Sequence, residues 1–147
     1  MSPLKVSIAI KALYHSFFRS VYLLTVYLVF VTKYRRKLLK KEHIQRLESL
    51  FKSICDTRGC ILVEFNGEND HVHLIVDYPP KISISNLVAN LKSTSSKLMW
   101  LEFESYLKTI YWKETVLWTG SYFAASCGGV TIEKLKQYIQ SQDSPTT

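Results

Sequence analysis

The sequence predicts an α+β protein of the ferredoxin-like or RRM-like class. One antiparallel sheet runs in the order β-α-β-β-α-β, with helices on one face and an extra helix at the C-terminus. Three observations predict this. Runs rich in β-branched and aromatic residues at Tyr22–Thr32, Cys60–Phe65, His71–Tyr78 and Tyr122–Ser126 read as strands. Two segments with apolar residues at helical spacing separate them. A chain of 147 residues, 47% hydrophobic and 21% charged, suits one domain with a real core.

Residues 1–18 form an extension without a motif, residues 19–143 the domain, and residues 144–147 a disordered tail. The first strand raises a membrane question, because residues 6–31 are mostly apolar. Lys11, His15 and Arg19 interrupt them, and the uncharged stretch Ser20–Thr32 has only 13 residues. A spanning helix needs roughly 18–20. A basic block, not a small-residue cleavage site, follows. No membrane partner is expected.

Lys40–Asp56 reads as a helix through Ile44, Leu47, Leu50, Phe51 and Ile54. Asn66-Gly67-Glu68-Asn69-Asp70 reads as a hairpin turn between the second and third strands, on its Asn-Gly signal. Pro79-Pro80 stops the third strand. Ile84, Leu87, Val88, Leu91, Leu98 and Leu101 mark a long helix running to about Tyr106. Its polar middle, Ser93-Thr94-Ser95-Ser96, is either an exposed face or a row of hydroxyls for phosphates. Gly128-Gly129 breaks the chain after the fourth strand, and Thr131 is placed to cap a last helix, Thr131–Gln142. The second face of the sheet is left for a ligand or partner.

Charge is divided along the chain. Residues 1–58 carry a net +9 and residues 59–147 a net −2. The basic half is either a solvated face or a surface for nucleic acid or an anionic membrane. Cys55, Cys60 and Cys127 form no Cys-x-x-Cys pair, and an odd count fits a reducing cytosol without a disulfide framework.

The most telling stretch is Asp70-His71-Val72-His73-Leu74. Side chains alternate on a strand, so His71 and His73 share a face while Val72 points away. Two adjacent imidazoles can clamp a metal. The pattern is short and weak by itself, and it counts only with context. On the last helix Tyr138 and Gln142 stand one turn apart. A hydroxyl and an amide oxygen there can approach one metal, or Tyr138 can simply pack at the edge of the Ile132, Leu135, Ile139 stripe. No Gly-rich phosphate loop is present, so no nucleotide cofactor is expected.

Several blocks in order carry a family resemblance. They are Leu28 to Lys37, Gly67-Glu68-Asn69-Asp70-His71-Val72-His73-Leu74, Leu87 to Ser96, Leu117-Trp118 with Ser121-Tyr122-Phe123, and Cys127-Gly128-Gly129 leading to Gln137-Tyr138-Ile139. The set, from about Ser20 to Gln142, resembles the single-tyrosine HUH transposases of small insertion sequences. These TnpA-like proteins include relatives associated with extragenic palindromes. The resemblance implies a DNA transposase that cuts and rejoins single-stranded DNA at element ends through a 5′-phosphotyrosine. Tyr138 would be the nucleophile. His71, His73 and Gln142 would hold a divalent metal, Mg²⁺ or Mn²⁺. Lys33, Tyr34, Arg35, Arg36, Lys37, Lys40 and Lys41 would meet hairpin-bearing single-stranded DNA. Gly128 and Gly129 would be the hinge of a homodimer in which the tyrosine acts in trans. The setting implied is the prokaryotic cytoplasm, in association with DNA. One departure stands out: the family often has a histidine in the first strand where this chain has Tyr27. A catalytically silent or host-adapted single-stranded hairpin binder of the same fold is the competing expectation.

Overall fold

The computed structural model describes residues 23–127 and Gln137. Within them run β1 (Leu24–Val31), a 3-10 turn (Lys33–Arg35), α1 (Lys41–Thr57), β2 (Ile61–Gly67), β3 (His71–Tyr78), α2 (Ile84–Ile110) and β4 (Phe123–Ser126). The strands lie side by side as β2-β3-β1-β4, and each neighbouring pair is antiparallel. That is the ferredoxin-like arrangement expected from the element order. The extension 1–18, Gly128, Gly129, Tyr138, Gln142 and the tail 144–147 lie outside the described residues. Gln137, beside Tyr138 in sequence, is helical and exposed.

Alternation divides the sheet into two faces. Val26, Leu28 and Phe30 of β1 and Val72, Leu74 and Val76 of β3 enter one core with Leu47, Phe51, Leu87, Leu91 and Met99 of the helices. Tyr27, Val63 and Ile75 join Cys127 in a smaller cluster on the other side. The sequence leads one to expect this second face to be open. Its centre is not, because Tyr27, His73 and Ile75 are buried.

The hairpin differs from its expected form. Asn66 and Gly67 belong to β2 and pair with His73 and Val72. The turn is the shorter Glu68–Asp70 segment, closed by Glu68 N–H donating to the His71 carbonyl at 2.8 Å. Gly67 serves a close approach instead. A Cβ there would lie 2.7 Å from Cγ2 of Ile44 on α1. Gly67 is therefore a packing residue within β2, not a turn glycine.

α2 runs one turn beyond the expected Tyr106. Leu107 continues its buried stripe and Ile110 packs beside it. The backbone leaves helical geometry once, at Phe103 (φ −123°, ψ 30°). Ser83 Oγ caps the N-terminus by accepting from Asn86 N–H at 3.2 Å. The polar middle is not simply a solvated face. Ser95 is buried, and its Oγ accepts from Trp118 Nε1 at 3.0 Å. Lys92 donates to the carbonyls of Thr119 and Ser121 and so anchors the approach to β4. Cys55, Cys60 and Cys127 are buried free thiols. Burial raises the pKa of each, that of Cys55 to about 12, so all three stay protonated and inert. Among the described residues no helix is long and apolar enough to cross a membrane.

Two predictions follow from this packing. Gly67→Ala should cost about 1–3 kcal/mol, read as a lower Tm, because the new methyl must displace Ile44. Combining it with Ile44→Ala should cost less than the two single losses together. The second concerns His43, which stacks on Tyr106 at 4.6 Å and accepts the Lys40 N–H at 3.0 Å. Burial is the main reason its pKa lies below the ordinary 6.5, Glu42 opposing and Lys40 assisting. Below 6.5 the unfolded chain binds a proton that folded His43 refuses, so this residue makes stability fall with acidification. His43→Gln keeps an acceptor at the same helical position. It should flatten the loss of Tm between about pH 7 and about pH 5.

Candidate functional site

The site is built on the junction of β1 and β3. Val31 stands opposite His71 and Val29 opposite His73. Both imidazoles therefore emerge on the face away from the helices, as alternation requires. Their ring centroids are 4.7 Å apart, with the planes at 89°. Both are buried.

Each ring is held through Nδ1. Asp70, itself buried, places Oδ1 2.7 Å from His71 Nδ1. The Tyr27 hydroxyl lies 2.7 Å from His73 Nδ1, and the two rings stack at 5.9 Å and 8°. A carboxylate or other polar group on one nitrogen is how metal-binding histidines are usually oriented, with the opposite nitrogen turned to the ion. The donor set thus fits a divalent cation at the Nε2 edges. Imidazole favours Mn²⁺ over the oxygen-seeking Mg²⁺. Among the described residues no group of three or more His, Cys, Asp or Glu side chains gathers as a metal site. This part of the chain therefore contributes two imidazoles. Gln142, the expected third ligand, and Tyr138, the expected nucleophile, are outside the described residues.

Asp70 and Tyr27 are the two site residues that sequence reasoning did not assign. For Asp70 a signal existed, since a carboxylate adjoins a candidate ligand in sequence. For Tyr27 none did. Its neighbour on β3 is Ile75, and it reaches His73 diagonally, which only the strand register decides.

Asp70 also joins the histidines to the basic block. Its carbonyl accepts from Thr32 N–H at 2.9 Å and from Thr32 Oγ1 at 3.2 Å. Its Oδ2 lies 3.8 Å from Arg35 Nε. Lys33, Tyr34 and Arg35 form the 3-10 turn straight after β1, and Arg36, Lys37 and Lys40 lead exposed into α1, which opens at Lys41. Arg35 thus joins the basic turn to Asp70, the partner of His71. Lys40 is partly committed, its ammonium lying 5.1 Å from the centre of the Tyr106 ring.

The turn is strained. Tyr34 and Arg35 have φ of 59° and 56°, a region that costs a non-glycine residue about 1–3 kcal/mol. Four restraints hold it. Thr32 Oγ1 donates to the Arg36 carbonyl at 2.7 Å and Tyr111 Oη to the Lys33 carbonyl at 2.6 Å. Lys33 N–H donates to the Leu117 carbonyl and Arg35 N–H to that of Thr32, each at 2.8 Å.

The described tyrosines include three that are held protonated. A hydrogen bond to Glu114 raises the pKa of Tyr34. Burial raises that of Tyr106, and that of Tyr111 to about 12. None of these suits a phenolate nucleophile.

Residues 20–142 match the family described as Transposase IS200 like. The chain is 29% identical over 116 residues to the transposase of insertion sequence element IS200 from Salmonella typhimurium, covering 79% of this chain and 74% of that protein. It is 30% identical over 122 residues to the ISDra2 transposase TnpA of Deinococcus radiodurans, covering 83% and 86%. A crystal structure of a protein assigned as a transposase from Deinococcus radiodurans superposes with a TM-score of 0.67 at 32% identity, over 83% of this chain and 92% of that one. A REP-associated tyrosine transposase bound to a REP hairpin superposes with a TM-score of 0.51 over 79% and 62%. At 11% identity that last likeness speaks to the fold alone.

Proposed function

Because the chain belongs to the IS200-like transposase family, we propose that it cuts and rejoins single-stranded DNA at the ends of a mobile element through a tyrosyl ester on Tyr138. The observation that carries this reading is the buried histidine pair, each Nδ1 engaged, at the rim of a basic turn. A divalent cation held by His71, His73 and Gln142 would polarise the scissile phosphate and offset its developing charge. Tyr27 and Asp70 keep the two rings in one tautomer, with the Nδ1 proton facing Tyr27 Oη and Asp70 Oδ1.

Lys33, Arg35, Arg36 and Lys37 neutralise the phosphates of the incoming strand. The Tyr138 oxygen bonds to phosphorus while the bond to the 3′-oxygen breaks. The 3′-oxygen gains a proton and leaves as a 3′-hydroxyl, and the 5′-phosphate stays on tyrosine. Transesterification conserves the ester, so a later 3′-hydroxyl reverses the step on a new strand without a nucleotide cofactor. The substrate carries hairpins, as the resemblance to the single-tyrosine transposases implies. The working unit is a homodimer in which Gly128-Gly129 lets Tyr138 serve the partner's histidines.

Labelled single-stranded DNA with a hairpin, incubated with Mn²⁺ and run on a denaturing gel, tests the chemistry. Wild type should leave a protein–DNA adduct and Tyr138→Phe none. The His71→Ala, His73→Ala double variant should also leave none while still binding the hairpin, since phosphate contacts supply most of the affinity. An adduct mapped to Tyr34 or Tyr122 refutes the nucleophile, and hairpin binding without any adduct favours the silent binder. Mixing His73→Ala with Tyr138→Phe under subunit exchange should restore cleavage, because one site of the heterodimer is then intact.

Tyr27→Phe should leave the fold standing and weaken Mn²⁺ binding by about 10- to 100-fold. Titration calorimetry without DNA measures this directly. Unchanged affinity would remove Tyr27 from the site.

A further inference from the structure

Two large rings face water at one place. Tyr34 is 63% exposed and Trp112 is 73% exposed. Both line a recess of about 200 Å³ with Arg36, Tyr111, Lys113 and Glu114. Exposed aromatics clustered among cations are unusual in a fold that buries its other two tryptophans, Trp100 and Trp118. The strained turn adds a second observation. Left-handed backbone at Tyr34 persists because Thr32 and Tyr111 impose it, and the outcome is a ring held out in solvent. The Lys33 ammonium lies 5.4 Å from the Tyr34 ring centre and that of Lys113 4.7 Å from the Trp112 ring centre. Charge for a phosphate thus accompanies each stacking surface.

We propose that this recess binds one unpaired nucleobase carrying an exocyclic amino group, on the strand being processed, stacked on Tyr34 and Trp112. The proposal rests on the reading that the chain acts on single-stranded DNA. Arg36 and Lys113 take the flanking phosphates. Arg35, next in the turn, ties the recess to Asp70 and so to His71. Stacking alone tolerates any base. Selectivity comes from Glu114, whose Oε2 accepts the Tyr34 hydroxyl at 3.0 Å. A carboxylate has two oxygens and about four acceptor positions. It can therefore accept as well from the amino group of cytosine N4, adenine N6 or guanine N2. Thymine presents a carbonyl there instead, which a carboxylate repels.

The test uses the full chain without metal and single strands of about twelve nucleotides, oligo(dC), oligo(dA) and oligo(dT). Anisotropy of a labelled strand gives affinity. Quenching of tryptophan fluorescence reports Trp112, because Trp100 and Trp118 are buried. Tyr34→Ala and Trp112→Ala should each weaken oligo(dC) binding roughly 5- to 150-fold, with the salt slope unchanged. Tyr34→Phe and Trp112→Phe keep a ring and should recover most of the loss. Arg36→Ala should instead lower the salt slope by about 1. Wild type should prefer oligo(dC) and oligo(dA) to oligo(dT), and Glu114→Gln should erase that preference. Both rings are exposed, so the variants should keep the wild-type circular dichroism. Wild-type affinity in both alanine variants overturns the stacking site, and equal binding of the three strands overturns the role of Glu114. The Mn²⁺ adduct assay on wild type separates the two readings. An adduct without ring dependence removes the recess and leaves the proposed chemistry, whereas ring dependence without an adduct does the reverse.

Discussion

The antiparallel pairing of β1 with β3 is the constraint on which the rest depends. It sets Val29 opposite His73 and Val31 opposite His71. From that register Tyr27 falls diagonal to His73 and close enough to bind it. Where the pairing ends, Thr32 clasps the backbone of Asp70, and the basic turn begins one residue later. A slip of one residue would send both imidazoles into the helix-covered core, where no partner for them exists in Leu28, Leu74 or Phe30. The hydrophobic set Val26, Leu28, Phe30, Val72, Leu74 and Val76 forbids that slip. Packing on one face therefore fixes where the two imidazoles stand on the other.

The two histidines are held in unequal ways. His71 faces a carboxylate, whereas His73 faces a phenol hydroxyl. The departure at Tyr27 is thus not a gap in the site. The ring fills the smaller cluster with Ile75 and Val63 while its hydroxyl orients His73. One residue serves packing and positioning, which is feasible because a tyrosine has an apolar body and a polar tip.

Strain is concentrated where nucleic acid is expected to meet the protein. Tyr34 and Arg35 occupy left-handed backbone without being glycine. Lys33 N–H and Tyr111 Oη tie the turn to the end of α2 and the segment that follows it. The basic turn is consequently a rigid presentation of charge and aromatic surface, not a loose tail. Rigid presentation lowers the ordering cost of binding.

By itself the sequence determined what local periodicity and residue chemistry encode. Strand alternation placed His71 and His73 on one face, and the element order placed four strands and two helices in a ferredoxin-like sheet. The ordered motif blocks pointed to the IS200-like family that the match over residues 20–142 establishes. What only the tertiary structure decided depends on partners far apart in the chain. Gly67 read as a turn glycine and is in fact needed where α1 crosses β2, since the nearest atom to its missing Cβ belongs to Ile44. Ser95 read as one of four similar hydroxyls and is the buried acceptor for Trp118, 23 residues on. Tyr27 reaches His73 across 46 residues, and Tyr34 meets Glu114 across 80. Spacing along a chain fixes which way a side chain points on its own element. It does not fix what stands opposite, because register, crossing and close approach are set by the packing of the whole sheet against its helices.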